Sequence, residues 1–225
     1  MQHFSGFQPE TISFLRELSQ NNNKAWFDAN RERYEAHYIE PAKTFIATIA
    51  EPLRQLVPDI NAEPRVNGSI FRINRDIRFS RDKTPYKDHL DLWFWEGQRK
   101  GALSGLFFRL TAKDLILGAG AHRFTPEQLA GFRAALEDSK KGRRLLQIGD
   151  TLEQAGAPLR GEYYKVAPKS LTAGDPQLAS LAKFNALYSA FETSHPASLA
   201  TPRFVEHCLD CWRQLAPLHR WLAEM

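Results

Sequence analysis

Seven lysines and arginines fall within residues 65–89, beside three aspartates. The centre of that window, residues 75–89, reads RDIRFSRDKTPYKDH. The net charge of residues 65–89, +4, equals that of the whole 225-residue chain, so the charges of the remainder cancel. A concentration of this kind points to an anion-binding surface. Arginine suits bidentate contact with phosphate or carboxylate, and lysine acts more as a point charge. The candidate ligand-binding residues are Arg72, Arg78, Arg81, Lys83, Tyr86, Lys87 and His89. Arg72 and Arg78 would stand roughly 20 Å apart on a straight strand, too far to grip one small anion. The corner formed by Arg78, Arg81, Lys83 and Lys87 is the more compact set. The competing reading is structural: Arg75 pairs with Asp76 or a helix carboxylate, Arg81 with Asp82, and the corner is merely rigid.

Other residues offer weaker chemistry. His89 with Asp91 or Asp76 has the composition of a general base and its orienter. Ser80 and Lys83 have the S-x-x-K spacing of penicillin-recognising enzymes, but the chain lacks their S-D-N and K-T-G elements. Cys208 and Cys211 form a C-x-x-C inside an amphipathic helix without a preceding strand, which favours packing over redox or zinc chemistry. Gly118-Ala119-Gly120 lacks the third glycine of a dinucleotide fingerprint, and no P-loop, H-E-x-x-H or G-x-S-x-G occurs. No catalytic residue, metal site or cofactor is assigned on these grounds. Whether the protein is an enzyme stays open.

The elements that position these residues follow from periodicity. Pro9 opens a helix with Ile12, Phe14, Leu15 and Leu18 on one side, and the run Asn21-Asn22-Asn23 ends it. Asn23 then caps a helix bearing Trp26, Phe27, Tyr34 and Tyr38, which Pro41 breaks or kinks. Phe45, Ile46, Ile49, Leu53, Leu56 and Val57 mark the next amphipathic stretch, bent at Pro52. From residue 70 the period becomes two: Phe71, Ile73, Ile77 and Phe79 alternate with polar residues, predicting a strand with one buried face, in which Arg75 intrudes. Further strands are predicted over residues 88–95, 103–110 and 114–121. Thr125-Pro126-Glu127-Gln128 is a capping box. Helices follow at residues 145–155 and after Thr201-Pro202, with an irregular stretch at 158–168. Helices, then strands in a meander, then helices predict one α+β domain over residues 1–225, with an antiparallel sheet of four or more strands. If the first two strands pair, Arg72, Asn74, Asp76 and Arg78 share a face with His89, Asp91, Trp93 and Trp95, where polar groups and aromatics could line a cleft.

Two cysteines make no disulfide framework and suit a reduced, cytoplasmic setting. No apolar run reaches the ~20 residues of a membrane span, and the first ten residues lack the pattern of a signal peptide. A pI near 9 permits an anionic small molecule or nucleic acid as partner without requiring either. The sequence leaves the oligomeric state undetermined.

Two motifs, NNNKAWFDANRERYEAHYIEP at residues 21–41 and INRDIRFSRDKTPYKDH at residues 73–89, resemble those of a widespread microbial family, Domain of Unknown Function 2461. The likeness extends over nearly the full chain. It carries over no catalytic role, because the family has no established reaction. Cys208/Cys211 and Ala121-His122-Arg123 do not look like family features. The leading reading is therefore binding of a phosphate-bearing or other anionic ligand at the basic corner. A nucleic-acid-associated module and an ion-paired structural or interaction protein are the alternatives.

Overall fold

The computed structural model describes residues 3–99, 102–161 and 175–225. Helix α1 (Pro9–Gln20) buries Thr11, Phe14, Leu15 and Leu18, a spacing of three and four that forms one apolar stripe. Helix α2 (Lys24–Ala29) begins at Asn23, whose side chain accepts the Trp26 N–H, as its residue type leads one to expect. Helix α3 (Arg31–Tyr34) passes into a wider π turn at Glu35–Ile39 and then into α4 (Glu40–Leu56). Pro41 therefore does not end the helical run. It falls in the first turn of α4, after the π turn has closed with the Glu40 N–H on the Glu35 carbonyl. A proline that early in a helix leaves no intrahelical donor missing.

Five strands, β1 (Ile60–Asn61), β2 (Leu90–Glu96), β3 (Gly105–Leu110), β4 (Asp114–Ala121) and β5 (Leu187–Ser194), form one antiparallel sheet in the order β1-β2-β3-β4-β5. Helices α5 (Pro126–Glu137), α6 (Ser139–Gln154), α7 (Pro176–Leu181) and α8 (Phe204–Ala223) complete the α+β fold that the element pattern predicts. In α5 the Thr125 hydroxyl accepts the Gln128 N–H and the Gln128 side chain accepts the Thr125 N–H, a complete capping box. Leu90, Leu92 and Phe94 are buried on β2, and Leu106, Phe108 and Leu110 on β3, the parity that alternation predicts.

Residues 70–80 depart from the expected strand. They make isolated bridges, Ile70 with Val66 and Leu92 and Asn74 with Tyr86. Beyond Asn74 the chain leaves the sheet: Arg75 N–H donates to Pro85 O across the base of a loop, and Ser80 N–H turns back to Ile77 O. Past Arg75 no paired segment lies alongside, so the apolar parity there has nothing to pack on. Ile73 is buried, but Phe71 is partly exposed and Phe79 is 95% exposed.

The described chain gathers into two compact units. One comprises Met1–Phe94, Phe107–Leu117 and Glu192–Asp210; the other comprises Trp95–Leu106, Gly118–Phe191 and Cys211–Met225. The first has an aromatic core in which the Phe7 ring lies 5.5 Å from Phe45 and 5.7 Å from Phe108, with Phe4 and Phe204 against them. In the second, Trp212 Nε1 donates to Gly118 O at 3.2 Å, and Trp221 Nε1 to Lys141 O at 2.9 Å. Gly120 has φ +138°, and a Cβ there would meet Leu187 O at 2.3 Å. Gly120 thus permits a close strand approach that a side chain would block.

Cys208 is buried and Cys211 half-buried. Among the described residues no group of three or more His, Cys, Asp and Glu is placed to hold a metal, and no helix is long and apolar enough to cross a membrane. The irregular stretch expected at residues 158–168 lies, from residue 162 onward, outside the described residues.

Candidate functional site

A concavity of about 760 Å³ opens within the first unit, lined by Ser19, Asn22, residues of the segment 71–91 and Arg109. Its frame is backbone pairing between residues 71–75 and 85–91. Phe71 N–H donates to Asp91 O, Lys87 N–H to Ile73 O and Arg75 N–H to Pro85 O. Asn22 clamps the second of these segments as a neighbouring strand would. Its amide donates to Tyr86 O at 2.9 Å, and its carbonyl accepts the Tyr86 N–H at 3.0 Å. Tyr86 stacks on Phe27 with ring centroids 4.2 Å apart, and the buried Tyr38 hydroxyl donates to His89 O at 3.1 Å. The first family-like motif thus supports the second.

The charges separate into two groups. At the tip, Arg78 Nε and Nη2 donate to the two carboxylate oxygens of Asp76 at 3.0 and 2.7 Å. That bidentate contact pulls the Asp76 carboxyl down to about 2. Arg75 Nη1 meets Asp82 Oδ2 at 2.6 Å and also donates to the carbonyl and hydroxyl of Thr84. Arg75 is therefore the structural residue that its place on the apolar parity suggested. Lys83 Nζ donates to Ile77 O at 2.9 Å.

The inner group centres on Asp91, whose side chain is 13% exposed. Arg109 Nε and Nη2 donate to its two oxygens at 2.7 and 3.2 Å. His89 Nε2 lies 3.1 Å from Asp91 Oδ2, and Lys87 Nζ lies 3.5 Å from the same atom. Burial raises the Asp91 carboxyl, but the His89 and Arg109 contacts outweigh it and hold the group well below the usual carboxylate range. Burial lowers the Lys87 ammonium; Asp91 opposes this, and the nearby Arg109 and Arg72 reinforce it. Lys87 Nζ also sits 4.6 Å from the centre of the Phe71 ring, a cation–π contact. One carboxylate is thus shared among Lys87, His89 and Arg109.

His89 Nδ1 lies 2.9 Å from Asp88 Oδ1. A carboxylate thus faces each nitrogen of the His89 ring.

Of the residues the sequence singled out, Arg72, Tyr86, Lys87 and His89 come together in the lining, while Arg78, Arg81 and Lys83 do not line it. Arg72 makes no hydrogen bond or ion pair with any described residue. The lining as a whole balances Arg72, Arg75, Lys87 and Arg109 against Asp76, Asp82, Asp88 and Asp91. Asp76, however, is neutralised from outside by Arg78. Trp93 and Trp95 stay out of the lining, with Trp95 buried. The sequence reading missed Arg109 and Asn22. Arg109 could have been found as a charge on the outward parity of β3, opposite outward Asp91 on β2, since opposite charges pair across adjacent strands. Asn22 carried no such signal, because a long-range side-chain clamp has no local period.

The architecture is an α+β protein in which a short extended segment, pinned by an N-terminal helix pair, frames a charged concavity beside an antiparallel sheet. The chain belongs to the DUF2461 family of conserved hypothetical proteins, whose profile matches residues 10–221. No curated protein matches the chain.

Proposed function

We propose that the protein binds a small phosphate- or carboxylate-bearing ligand in this concavity, held by Arg72, Lys87 and Arg109. The observation that carries the reading is the charge count of the inner wall. Asp91 is shared by Lys87, His89 and Arg109, Asp88 meets His89 alone, and Arg72 stands beside them with no hydrogen bond or ion pair to a described residue. An anion bound there would meet a guanidinium whose donors are unused and an ammonium that burial has already partly desolvated. The reading assigns binding and no reaction. Two cysteines suit a reducing, cytoplasmic setting for it.

The alternative, contact with single-stranded nucleic acid, has one observation of its own. Phe79 is 95% exposed at the loop tip, with the Arg78 guanidinium 5.8 Å from its ring centre and Arg81 and Lys83 nearby in sequence. Exposed aromatics beside cations stack bases.

One experiment separates the readings. Thermal unfolding is measured with inorganic phosphate, pyrophosphate, a nucleoside monophosphate and an oligothymidine. A ligand at one hundred times its Kd should raise Tm by roughly 5–10 °C. The small anions should do so in the wild type and in Phe79→Ala, and should fail in Arg72→Ala. Stabilisation by the oligonucleotide alone, lost in Phe79→Ala and at high salt, would give the site to nucleic acid instead. No shift with any of the four would end both readings.

A further inference from the structure

A second cluster lies in the other unit, around a cavity of about 300 Å³ at the turn between β2 and β3. Glu96 is the last residue of β2, and Ser104 immediately precedes β3, so the two flank the same connection. His219, on α8, completes the cluster. Its side chain is 1% exposed, and Ser104 is also buried. Ser104 Oγ lies 2.9 Å from His219 Nδ1. Glu96 Oε2 stands 2.8 Å from His219 Nε2, an ion-pair contact whose angle falls short of a hydrogen bond. Catalytic hydrogen bonds are often misaligned until substrate is present. The helix is held here by the Trp221 bond to Lys141 O, so the imidazole has a fixed anchor.

Hydroxyl, imidazole and carboxylate in series, each within bonding distance, form the sequence of groups by which a serine is activated as a nucleophile. The two ring nitrogens exchange roles relative to the familiar serine hydrolases: Nδ1 faces the serine and Nε2 the acid. A purely structural histidine needs no carboxylate beside its second nitrogen, and Ser104 alone would satisfy its first. Glu96 is also the partly exposed member, so the series runs from solvent to a buried hydroxyl. The rest of the lining is small or apolar, with Gly97, Ala102, Leu103 and Ala223, and Gln98 adds an amide donor. That volume is at the low end for ligand sites and suits a short acyl group.

We infer that Ser104, His219 and Glu96 form an acyl-transfer site for small esters, separate from the charged concavity. Ser104 Oγ bonds to the ester carbonyl carbon as its proton passes to His219 Nδ1. The carbon–alkoxide bond then breaks, and the leaving oxygen takes that proton and departs as the alcohol. Water adds to the acyl-serine, giving its proton to Nδ1. The acyl–Oγ bond breaks, Oγ takes the proton back, and the carboxylic acid leaves. Glu96, 2.8 Å from Nε2, supports the transient imidazolium through Nε2–H. It is a positioning residue.

The test uses the full chain with p-nitrophenyl acetate as substrate and a fluorophosphonate as covalent probe, the labelled peptide being located by mass spectrometry. The expected result is a label on Ser104 and a loss of hydrolysis of about 100-fold or more in Ser104→Ala. Glu96→Gln should lower kcat by about 10-fold with KM unchanged, which a structural role would not produce. His219→Asn should abolish turnover, and circular dichroism shows whether it folds. Ser104→Ala, the loss of one oxygen, keeps the inference testable if it does not. A label elsewhere, no label, or wild-type hydrolysis by Ser104→Ala would overturn the inference.

Discussion

Residues 76–83 and residues 87–91 both mix acids with bases in a short stretch, yet their charges play opposite parts. In the tip loop, Asp76 and Arg78 pair at 2.7 Å with 48% and 76% of their side chains exposed. Pairs of that kind are screened by water and contribute little to stability. In the inner wall, Asp91 is largely buried, and three basic side chains depend on it. A carboxylate so placed has paid its desolvation cost through its partners, and its removal leaves the cations without compensation. Similar composition therefore organises a loop in one case and holds the wall of a cavity in the other. Burial decides which.

The largest effect that would break this contrast is at Asp91. Asp91→Asn should destabilise the protein by ~3 kcal/mol near pH 7, because Arg109 and Lys87 stay in place with no counter-charge. The pH dependence follows in sign. The folded carboxyl lies below its ordinary value of 3.8. Its contribution is therefore complete above that value and is lost as pH falls from there toward the lower folded value. The stability gap between wild type and Asp91→Asn should be flat from pH 8 to about 5 and should narrow below about 4. Denaturant melts across that range measure it. A gap that is absent at pH 7 would mean that the inner wall is no more than another surface pair.

Asn22→Ala should come next. It removes both bonds to the Tyr86 backbone, one donated and one accepted, at a cost of ~2 kcal/mol if each contributes about 1. The loss should also loosen the frame of the concavity, so amide exchange at Tyr86 and Lys87 should quicken more than exchange in α4. Equal quickening in both would assign Asn22 to general stability rather than to the frame.

These residues also show what could be seen from the sequence and what could not. The parity of residues 90–95 and 106–110 marks the core side of β2 and β3, because burial on one face leaves a period of two in the residue types. The capping box at Thr125 and the cap at Asn23 are local and equally readable. The alternation from Phe71 to Phe79 has the same period, but it is paired only as far as Arg75, and pairing depends on what lies alongside rather than on the segment itself. β5 went unseen for the converse reason. Its buried residues include Ser189 and Ala190, and Ser189 gives its hydroxyl to Ala157 O, so no apolar alternation shows. For the proposed site, charge density falls on the stretch that lines the concavity but points to its tip. The sequence contains no measure of burial, and burial moves the weight of the site inward to Arg72, Lys87, Asp91 and Arg109.

The smallest expected effect is the most direct check on that shift. Arg78→Ala removes both bonds to Asp76, yet the pair stands in solvent, so the variant should melt where the wild type does. Its effect should appear only in ligand binding, and there weakly. Asp76, no longer neutralised, adds one negative charge at the rim and should lower anion affinity by about 2–5-fold at low salt, the difference fading near 1 M salt as screening shortens. Arg72→Ala should also leave the melting temperature of the ligand-free protein in place, but it should remove anion binding at every salt concentration. If Arg78→Ala abolished binding and Arg72→Ala spared it, the tip and not the wall would hold the ligand. The corner from Arg78 to Lys87 that the sequence favours would then be the site after all.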